Sequence, residues 1–332
     1  MLNRKKVKIN FCGFWSSFNK QQNLFTIILS KYFDVEISNN PDFVICSNRG
    51  TPFEYMKYDC VRIMFVGEAL SPDFTTFDYW IGYDFLDFGD RYFRLPYGFF
   101  FNDAQPWKPK RIEKDEAYAL LNKKKYFCNF IYGVKSVHGM REVLFNKLSE
   151  YKTVVSPGSY LNNTTGSKKR CSWQEKYKYL IDSKFTIAGD SISCPGFFTE
   201  KIIHPFMNYS IPIYSGNPLI EKEFNKEAFI NCKDFSDVDR VIEQVVYMDK
   251  NDDAYVEMLT KQPLIQENYL SNIYSKLECF LVNVFGQNLE QAYRRVGRIC
   301  PGYHESYLYN YMKIYDKTPD ILRKIKNKIV KR

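Results

Sequence analysis

Histidine is scarce in this chain: His138, His204 and His304 are the three in 332 residues, which argues against a histidine-built metal centre. The nine cysteines, at positions 12, 46, 60, 128, 171, 194, 232, 279 and 300, contain no Cys-x-x-Cys pair and follow no regular spacing. An odd, unpatterned set of this kind is expected to persist as reduced thiols, as in a cytoplasmic protein. Long apolar runs are missing too. None reaches the roughly 18 residues that would span a bilayer, and Met1 to Lys8 is too polar for a secretory signal. Internal repeats are absent, and the only compositionally biased tract is a basic tail. These absences leave a water-soluble protein, peripheral to a membrane at most.

Aromatics are abundant, with 28 Phe and 26 Tyr, and most of them must be core because a surface of this size cannot hold so many. A length of 332 residues suits two domains of roughly 150 residues each. Short apolar runs, Val7–Phe11, Val35–Ser38, Phe43–Cys46 and Val61–Phe65, alternate with a helical pattern over Phe18–Lys31. That alternation predicts a parallel α/β sheet. The polar stretch 102–114 with Pro106 and Pro109 interrupts it and leads into a helix over Asp115–Leu121. A second α/β unit follows: strand Tyr126–Tyr132, helix Met140–Ser149, strand Thr153–Val155, a Gly/Asn-rich loop over 157–166, helix Trp173–Ile181, strand Phe185–Ala188, strand Ala228–Ile230 and helix Val238–Met248. The division expected is an N-terminal Rossmann-like half over 1–122, a second over 123–290, and C-terminal helices with a basic tail over 291–332.

The densest chemical signal is residues 194–218. A loop ending at Gly196 passes to Thr199, Glu200 and Lys201, then to an apolar helical run and a short strand, Ile211–Tyr214, closed by Gly216-Asn217-Pro218. A helix start with one carboxylate and one ammonium at the carboxyl edge of an α/β sheet suits a nucleotide sugar. The helix N-terminus and Lys201 can hold a diphosphate, and Glu200 can accept sugar or ribose hydroxyls. The same three residues also read as an N-cap followed by first-turn charges. Glu68 should project from the carboxyl end of the Val61–Val66 strand into an interdomain cleft, where a carboxylate can take an acceptor hydroxyl proton. Its alternative is a solvated loop carboxylate. Arg141 offers a planar fork for phosphate oxygens or is an ordinary helix-surface charge. Asp237-Val238-Asp239 has the look of an Asp-x-Asp metal site, but it opens a helix and reads as a cap.

Further ordered motifs extend from about residue 40 to 265. They are Val66-Gly67-Glu68, Ser71-Pro72-Asp73-Phe74, Phe77-Asp78-Tyr79-Trp80-Ile81-Gly82, Asp90-Arg91-Tyr92-Phe93-Arg94-Leu95-Pro96, Cys128-Asn129-Phe130-Ile131-Tyr132, Arg141 and Tyr160-Leu161-Asn162-Asn163. With the 194–218 stretch, this set resembles the bacterial α-1,3-fucosyltransferases that build Lewis-type antigens. The resemblance implies a glycosyltransferase-B fold, two Rossmann-like domains facing a cleft. It implies GDP-fucose as donor, no metal or other cofactor, and an inverting transfer of L-fucose to a GlcNAc-type hydroxyl of a surface glycan such as a lipopolysaccharide O-antigen. It implies Glu68 as general base and Glu200 beside the sugar, together the catalytic pair. The donor would be held by Arg141, Lys201, Asp190, Ser191, Phe197, Tyr160 and Asn163, and the glycan acceptor by Asp73 and Asp78.

Several positions depart from the family's pattern. Ala69 stands where Asn is common, Phe197 where Tyr is common, Gly189-Asp190-Ser191 for Phe-Glu-Asn, Gly133-Val134 for Ser-Asn, and Ser215 for Trp. These changes spare the phosphate-binding pair and fall near the sugar and base, so a transferase using another GDP-deoxysugar, of the GDP-colitose or GDP-perosamine type, is the first alternative. A non-catalytic glycan- or nucleic-acid-binding protein is the second. The tail begins at Thr318-Pro319 and repeats Ile321, Leu322, Ile325, Ile329 and Val330 at helical spacing among six basic residues of the last ten. That pattern suits an anionic inner-membrane surface or a helix packed on the protein with a solvated basic face. No nucleic-acid module accompanies the net charge of +9.

Overall fold

Six short strands make up the sheet of the N-terminal half, and the three from Phe43 to Gly82 are buried end to end, so they must be covered on both faces, as parallel strands are. In the computed structural model, which describes residues 4–101, 103–137, 139–164, 171–295, 310, 313 and 314, the six are β1 (Lys6–Cys12), β2 (Asp34–Ile37), β3 (Phe43–Ser47), β4 (Val61–Phe65), β5 (Tyr79–Gly82) and β6 (Tyr92–Arg94). They pair in parallel in the order β2-β1-β3-β4-β5-β6. Helix α1 (Leu24–Leu29) is shorter than its apolar pattern. Asn23 caps it, its side chain accepting from the backbone N–H of Phe25 and Thr26, and Asn19 turns the preceding residues by accepting from Gln21 and Gln22.

Helix α2 (Lys114–Leu121) opens the second half, followed by β7 (Tyr126–Asn129), α3 (Met140–Tyr151), β8 (Val154–Val155), α4 (Trp173–Asp182), β9 (Ser183–Gly189), α5 (Glu200–Met207), β10 (Ile211–Ser215), β11 (Ile230–Asn231), α6 (Val238–Lys250) and α7 (Asp252–Leu259). Its sheet is again parallel, in the order β11-β10-β9-β7-β8. Ser172 and Glu175 form a reciprocal capping box that fixes the start of α4. Asp237 caps α6 by accepting from the Arg240 N–H at 3.0 Å, the role read from its position.

One expectation is corrected here. The sequence placed residues up to 290 with the second half, but α8 (Tyr269–Gly286) returns to the first sheet. Its stripe of Leu270, Tyr274, Leu277, Leu281, Val284 and Phe285 recurs every three or four residues and is buried there. The Phe285 ring lies 4.6 Å from Phe43, and Phe280 lies 5.4 Å from Phe93. Lys5 closes the far end, its ammonium donating to the carbonyls of Phe285, Gly286 and Gln287. After α9 (Leu289–Ala292), the backbone N–H groups of Arg294 and Arg295 both donate to Asp78 Oδ1 at 2.7 Å.

Asp78 is therefore also corrected. It is fully buried, its Oδ2 accepts from the Arg62 N–H and from the Arg295 guanidinium, and it ties the returning chain to β4 and β5. A carboxylate so saturated has no lone pair left for a glycan. The basic segment 318–332 lies outside the described residues. Among the described residues, no helix is long and apolar enough to cross a membrane.

Candidate active site

Both sheets turn their carboxyl edges toward one crevice, the usual place for a ligand in an open α/β fold. The halves meet where the turn after β6 reaches the start of α5. The Gly98 N–H donates to the Phe198 carbonyl at 3.1 Å, and the Phe99 and Phe198 rings cross edge to face at 4.8 Å. Gly196 lies in the left-handed region at φ 83°, and a Cβ there would stand 2.6 Å from the Tyr83 carbonyl, so only glycine lets this loop approach the opposite half.

Thr199 occupies the N-cap position of α5 but makes no cap bond. Its hydroxyl donates to Asp190 Oδ1 at 2.6 Å and accepts from Lys201 Nζ at 3.1 Å. Tyr214 donates to the other Asp190 oxygen at 2.9 Å. Asp190 is buried and its carboxyl is pushed up by that burial, against the pull of Lys201. Asp190, expected to touch the donor, orients Thr199 and hence the first turn of α5.

Glu200 and Lys201 lie side by side, Nζ 3.7 Å from Oε1. Burial alone would raise the Glu200 carboxyl, but Lys201, then Lys176, outweigh it and hold it at about 2. It is thus a fixed anion at any physiological pH. Lys176, on α4, was not singled out from the sequence. Its ammonium stands 5.1 Å from the Trp173 ring, burial lowers its pKa, and it shares a small recess with Lys201, His204, Asn129 and Thr186. His204 is pushed down to about 3 by burial and by Lys176, so it is neutral.

Arg141 is almost fully buried at the start of α3. Its guanidinium carbon lies 3.9 Å from the Tyr132 ring centroid, and it donates to the Val134 carbonyl and to Glu142. Tyr132 is the hinge of this corner, its hydroxyl donating to the Ile187 carbonyl at 2.9 Å and accepting from the Gly189 N–H at 2.7 Å. A Cβ on Gly189 would fall 2.9 Å from Arg141 Cβ and 3.0 Å from the hydroxyl of Ser215, its register partner on β10. The two small residues therefore admit the arginine stem.

Across the crevice, Glu68 follows β4 and pairs with Arg49; its side chain is 55% exposed. Arg49 in turn lies 5.8 Å from the Tyr97 ring, and the Tyr97 phenol is raised by burial and then by the charge of Glu200. Glu68, Arg49 and Tyr97 thus cluster on the first half, close enough to the second for the charge of Glu200 to be felt at the Tyr97 phenol.

The remaining expected residues sit less directly. Asn163 holds its own loop, accepting from the Ser156 N–H and donating to the Val154 carbonyl. Tyr160 packs partly buried against the core of the second half. Phe197 is buried against Tyr83, its ring 5.2 Å away, and gives no open face. Ser191 is exposed. Asp73 accepts from the N–H groups of Thr75 and Thr76 and shapes the loop beyond Glu68.

Residues 9–101 match the family model of the alpha-(1,3)-fucosyltransferase FucT N-terminal domain, and residues 120–292 match that of the glycosyltransferase family 10 (fucosyltransferase) C-terminal region. An alpha-(1,3)-fucosyltransferase FucT of Helicobacter pylori is 28% identical over 294 residues, covering 78% of this chain and 60% of that protein. An alpha-(1,3)-fucosyltransferase B of Drosophila melanogaster is 31% identical over 114 residues, covering 34% of this chain and 24% of that protein. The chain therefore spans less than two thirds of the length of these relatives. A crystal structure of an α1,3-fucosyltransferase superposes with a TM-score of 0.67 at 23% identity, over 84% of this chain and 91% of the other. One of an α1,3-fucosyltransferase with GDP-fucose gives 0.64 at 24% identity, over the same shares. Likeness at this identity establishes the fold, a glycosyltransferase-B architecture.

Proposed function

The chain belongs to glycosyltransferase family 10, and on that premise we propose that it transfers L-fucose from GDP-β-L-fucose to a GlcNAc-type hydroxyl, with inversion, giving an α-linked fucose. The observation that carries this reading is a pair of groups on the two halves: Glu68 with Arg49 and Tyr97 on the first, and Glu200 with Lys201 and Lys176 on the second, the charge of Glu200 reaching the Tyr97 phenol. A base on one wall and an anion flanked by cations on the other are what a glycosyl transfer between two bound substrates needs.

Glu68 takes the acceptor hydroxyl proton as that oxygen bonds to the anomeric carbon. The bond from the anomeric carbon to the diphosphate oxygen breaks, and GDP leaves with the electron pair. Lys201 and Arg141 meet the charge that grows on the diphosphate, where one positioned donor is typically worth a factor of about 10² to 10³. Glu200, ionised throughout, balances positive charge on the sugar ring. The cations at hand supply this charge stabilisation, so the reaction proceeds without a metal.

A relative reading, transfer of another GDP-deoxysugar, is favoured by one observation: Gly189 and Ser215 face each other across β9 and β10 next to Arg141. Incubation with GDP-fucose, GDP-colitose and GDP-perosamine separates the two. Turnover of GDP-fucose alone supports the first; turnover of another donor without GDP-fucose overturns it. We place the reaction on the cytoplasmic side, in surface-glycan synthesis of the lipopolysaccharide O-antigen kind. The stretch from Ile321 to Arg332, with six Lys and Arg, would attach the enzyme to an anionic membrane surface.

A further inference from the structure

A recess of about 90 Å³ opens at the amino edge of the second sheet, on the side away from the crevice. It forms where the connecting segment with Trp107, Lys108 and Lys110 meets the end of α5 at Phe206 and Met207 and the start of β10. The Trp107 ring lies over Phe206, 6.2 Å away and 17° from parallel. The space admits roughly six waters at about 15 Å³ each, too few for a second nucleotide sugar.

The surface around this recess collects apolar side chains and lysines. Helices α4 and α5 end at this edge, and β7, β9 and β10 begin there. Lys124 Nζ donates to the Ile181 carbonyl in the last turn of α4 at 2.8 Å and to the Tyr209 carbonyl just beyond α5 at 2.7 Å. It thereby clamps the two helix ends side by side. Around the clamp Ile181 is 53% exposed, Met207 39% and Tyr126 37%. Tyr126 is steadied by Tyr179, whose ring lies 5.7 Å away. Two of the lysines are occupied: Lys125 pairs with Asp182, and Lys261 lies 3.4 Å from both Glu227 and Glu257. Lys108, Lys110 and Lys123 are exposed, and none of them makes an ion pair among the described residues.

Exposed aliphatic and aromatic groups set among unpaired lysines suit the boundary of an anionic bilayer. The apolar groups enter the headgroup layer, while the ammonium groups stay with the lipid phosphates. A nucleic acid would engage the lysines but leave Ile181 and Met207 without a partner. We infer that the amino edge of the second sheet docks on an anionic lipid bilayer through Ile181, Met207, Tyr126, Lys108, Lys110 and Lys123. The seven residues of β9 separate this edge from the crevice by roughly 20 Å at about 3.3 Å per residue, so the site stays clear of the headgroups. The inference rests on the membrane reading of the basic tail for its partner but uses none of the tail's residues. One weak anchor gives only marginal attachment, so both contacts are needed for stable binding.

The test sediments the full chain with vesicles of phosphatidylglycerol in phosphatidylcholine, and with vesicles of phosphatidylcholine alone. Combining Lys108→Gln, Lys110→Gln and Lys123→Gln should lower the partition coefficient on the anionic vesicles about 10- to 100-fold. Ile181→Ser with Met207→Ser should lower it about 5- to 30-fold, and both variants should unfold thermally as the wild type does. Met207→Trp reports the contact directly: brominated phosphatidylglycerol should quench its added indole beyond the quenching of the native tryptophans. An unchanged partition coefficient in the triple variant, or no added quenching at Met207→Trp, would overturn the docking face. So would equal binding to phosphatidylcholine alone, or a wild type that ignores vesicles and binds a short DNA duplex that the triple variant loses. If a chain ending at Asp316 loses the vesicles while the triple variant keeps them, the tail reading stands and the face falls. The converse result would remove the tail reading alone.

Discussion

Glu223 should make the protein measurably less stable as pH rises toward neutrality, and Glu223→Gln should remove that dependence. The side chain is fully buried, and neither oxygen accepts a well-directed hydrogen bond. Arg94 Nη2, from the other half, stands 2.6 Å from Oε1, and Lys222 acts from farther away. Burial outweighs both and pushes the carboxyl from 4.5 up to about 7. The folded state therefore binds a proton more tightly than the unfolded state does. Stability from this group is full below about 4.5 and is lost as pH rises through about 7. The interval of about 2.5 pH units, at 1.36 kcal/mol each, corresponds to about 3 kcal/mol. Glutamine mimics the neutral acid at every pH. Urea unfolding of both proteins at about pH 5 and pH 8.5 should show the advantage of the variant growing by about 3 kcal/mol. A difference constant to within about 0.5 kcal/mol would show that the buried carboxylate carries no such penalty. The same guanidinium donates to the Tyr83 carbonyl and approaches the Gly196 carbonyl, so this pair also braces the loop before Glu200.

Other outcomes follow from the crevice itself. Glu68→Gln should lower kcat by about 10² to 10⁴ while GDP affinity is unchanged, and a variant retaining half of wild-type kcat would make Glu68 a bystander. Lys176→Met should weaken GDP binding about 5- to 50-fold through loss of one charge-assisted contact, read by calorimetry; unchanged affinity would leave Lys176 only as a neighbour of Glu200. A chain ending at Asp316 should lose binding to anionic liposomes, since each basic residue near such a surface contributes about 1 kcal/mol, yet keep transfer to a soluble acceptor. Equal liposome binding by both chains would place the basic segment elsewhere.

The two parallel sheets were legible because apolar runs buried on both faces leave a continuous signature, as in Phe43–Ser47 and Val61–Phe65. The start of α5 at Thr199, Glu200 and Lys201 was legible because a loop ending at a glycine and a first-turn charge pair precede an apolar helical run. What stayed hidden was the distinction between polar groups that face the crevice and those that hold it in shape. Asp78, Asp190 and Asn163 sit in motifs of the same kind as the candidate site residues, yet each spends its lone pairs on neighbouring backbone or side chains. Nothing in a local pattern separates the two uses. Lys176 was missed for the opposite reason: it lies on an ordinary amphipathic helix, and only the packing of α4 against α5 brings it to Glu200. The return of α8 likewise depends on which sheet its apolar stripe covers, a choice that periodicity leaves open.

The central claim is that Glu68 and the Glu200-Lys201 turn act on the two sides of one glycosyl transfer. Its most direct test is incubation of the purified chain with GDP-fucose and N-acetyllactosamine in excess EDTA, with the product analysed by NMR for anomeric configuration. An α-linked fucosyl product should form at the same rate with and without the chelator. A β-linked product, full inhibition reversed by Mg²⁺, or no consumption of GDP-fucose would contradict it.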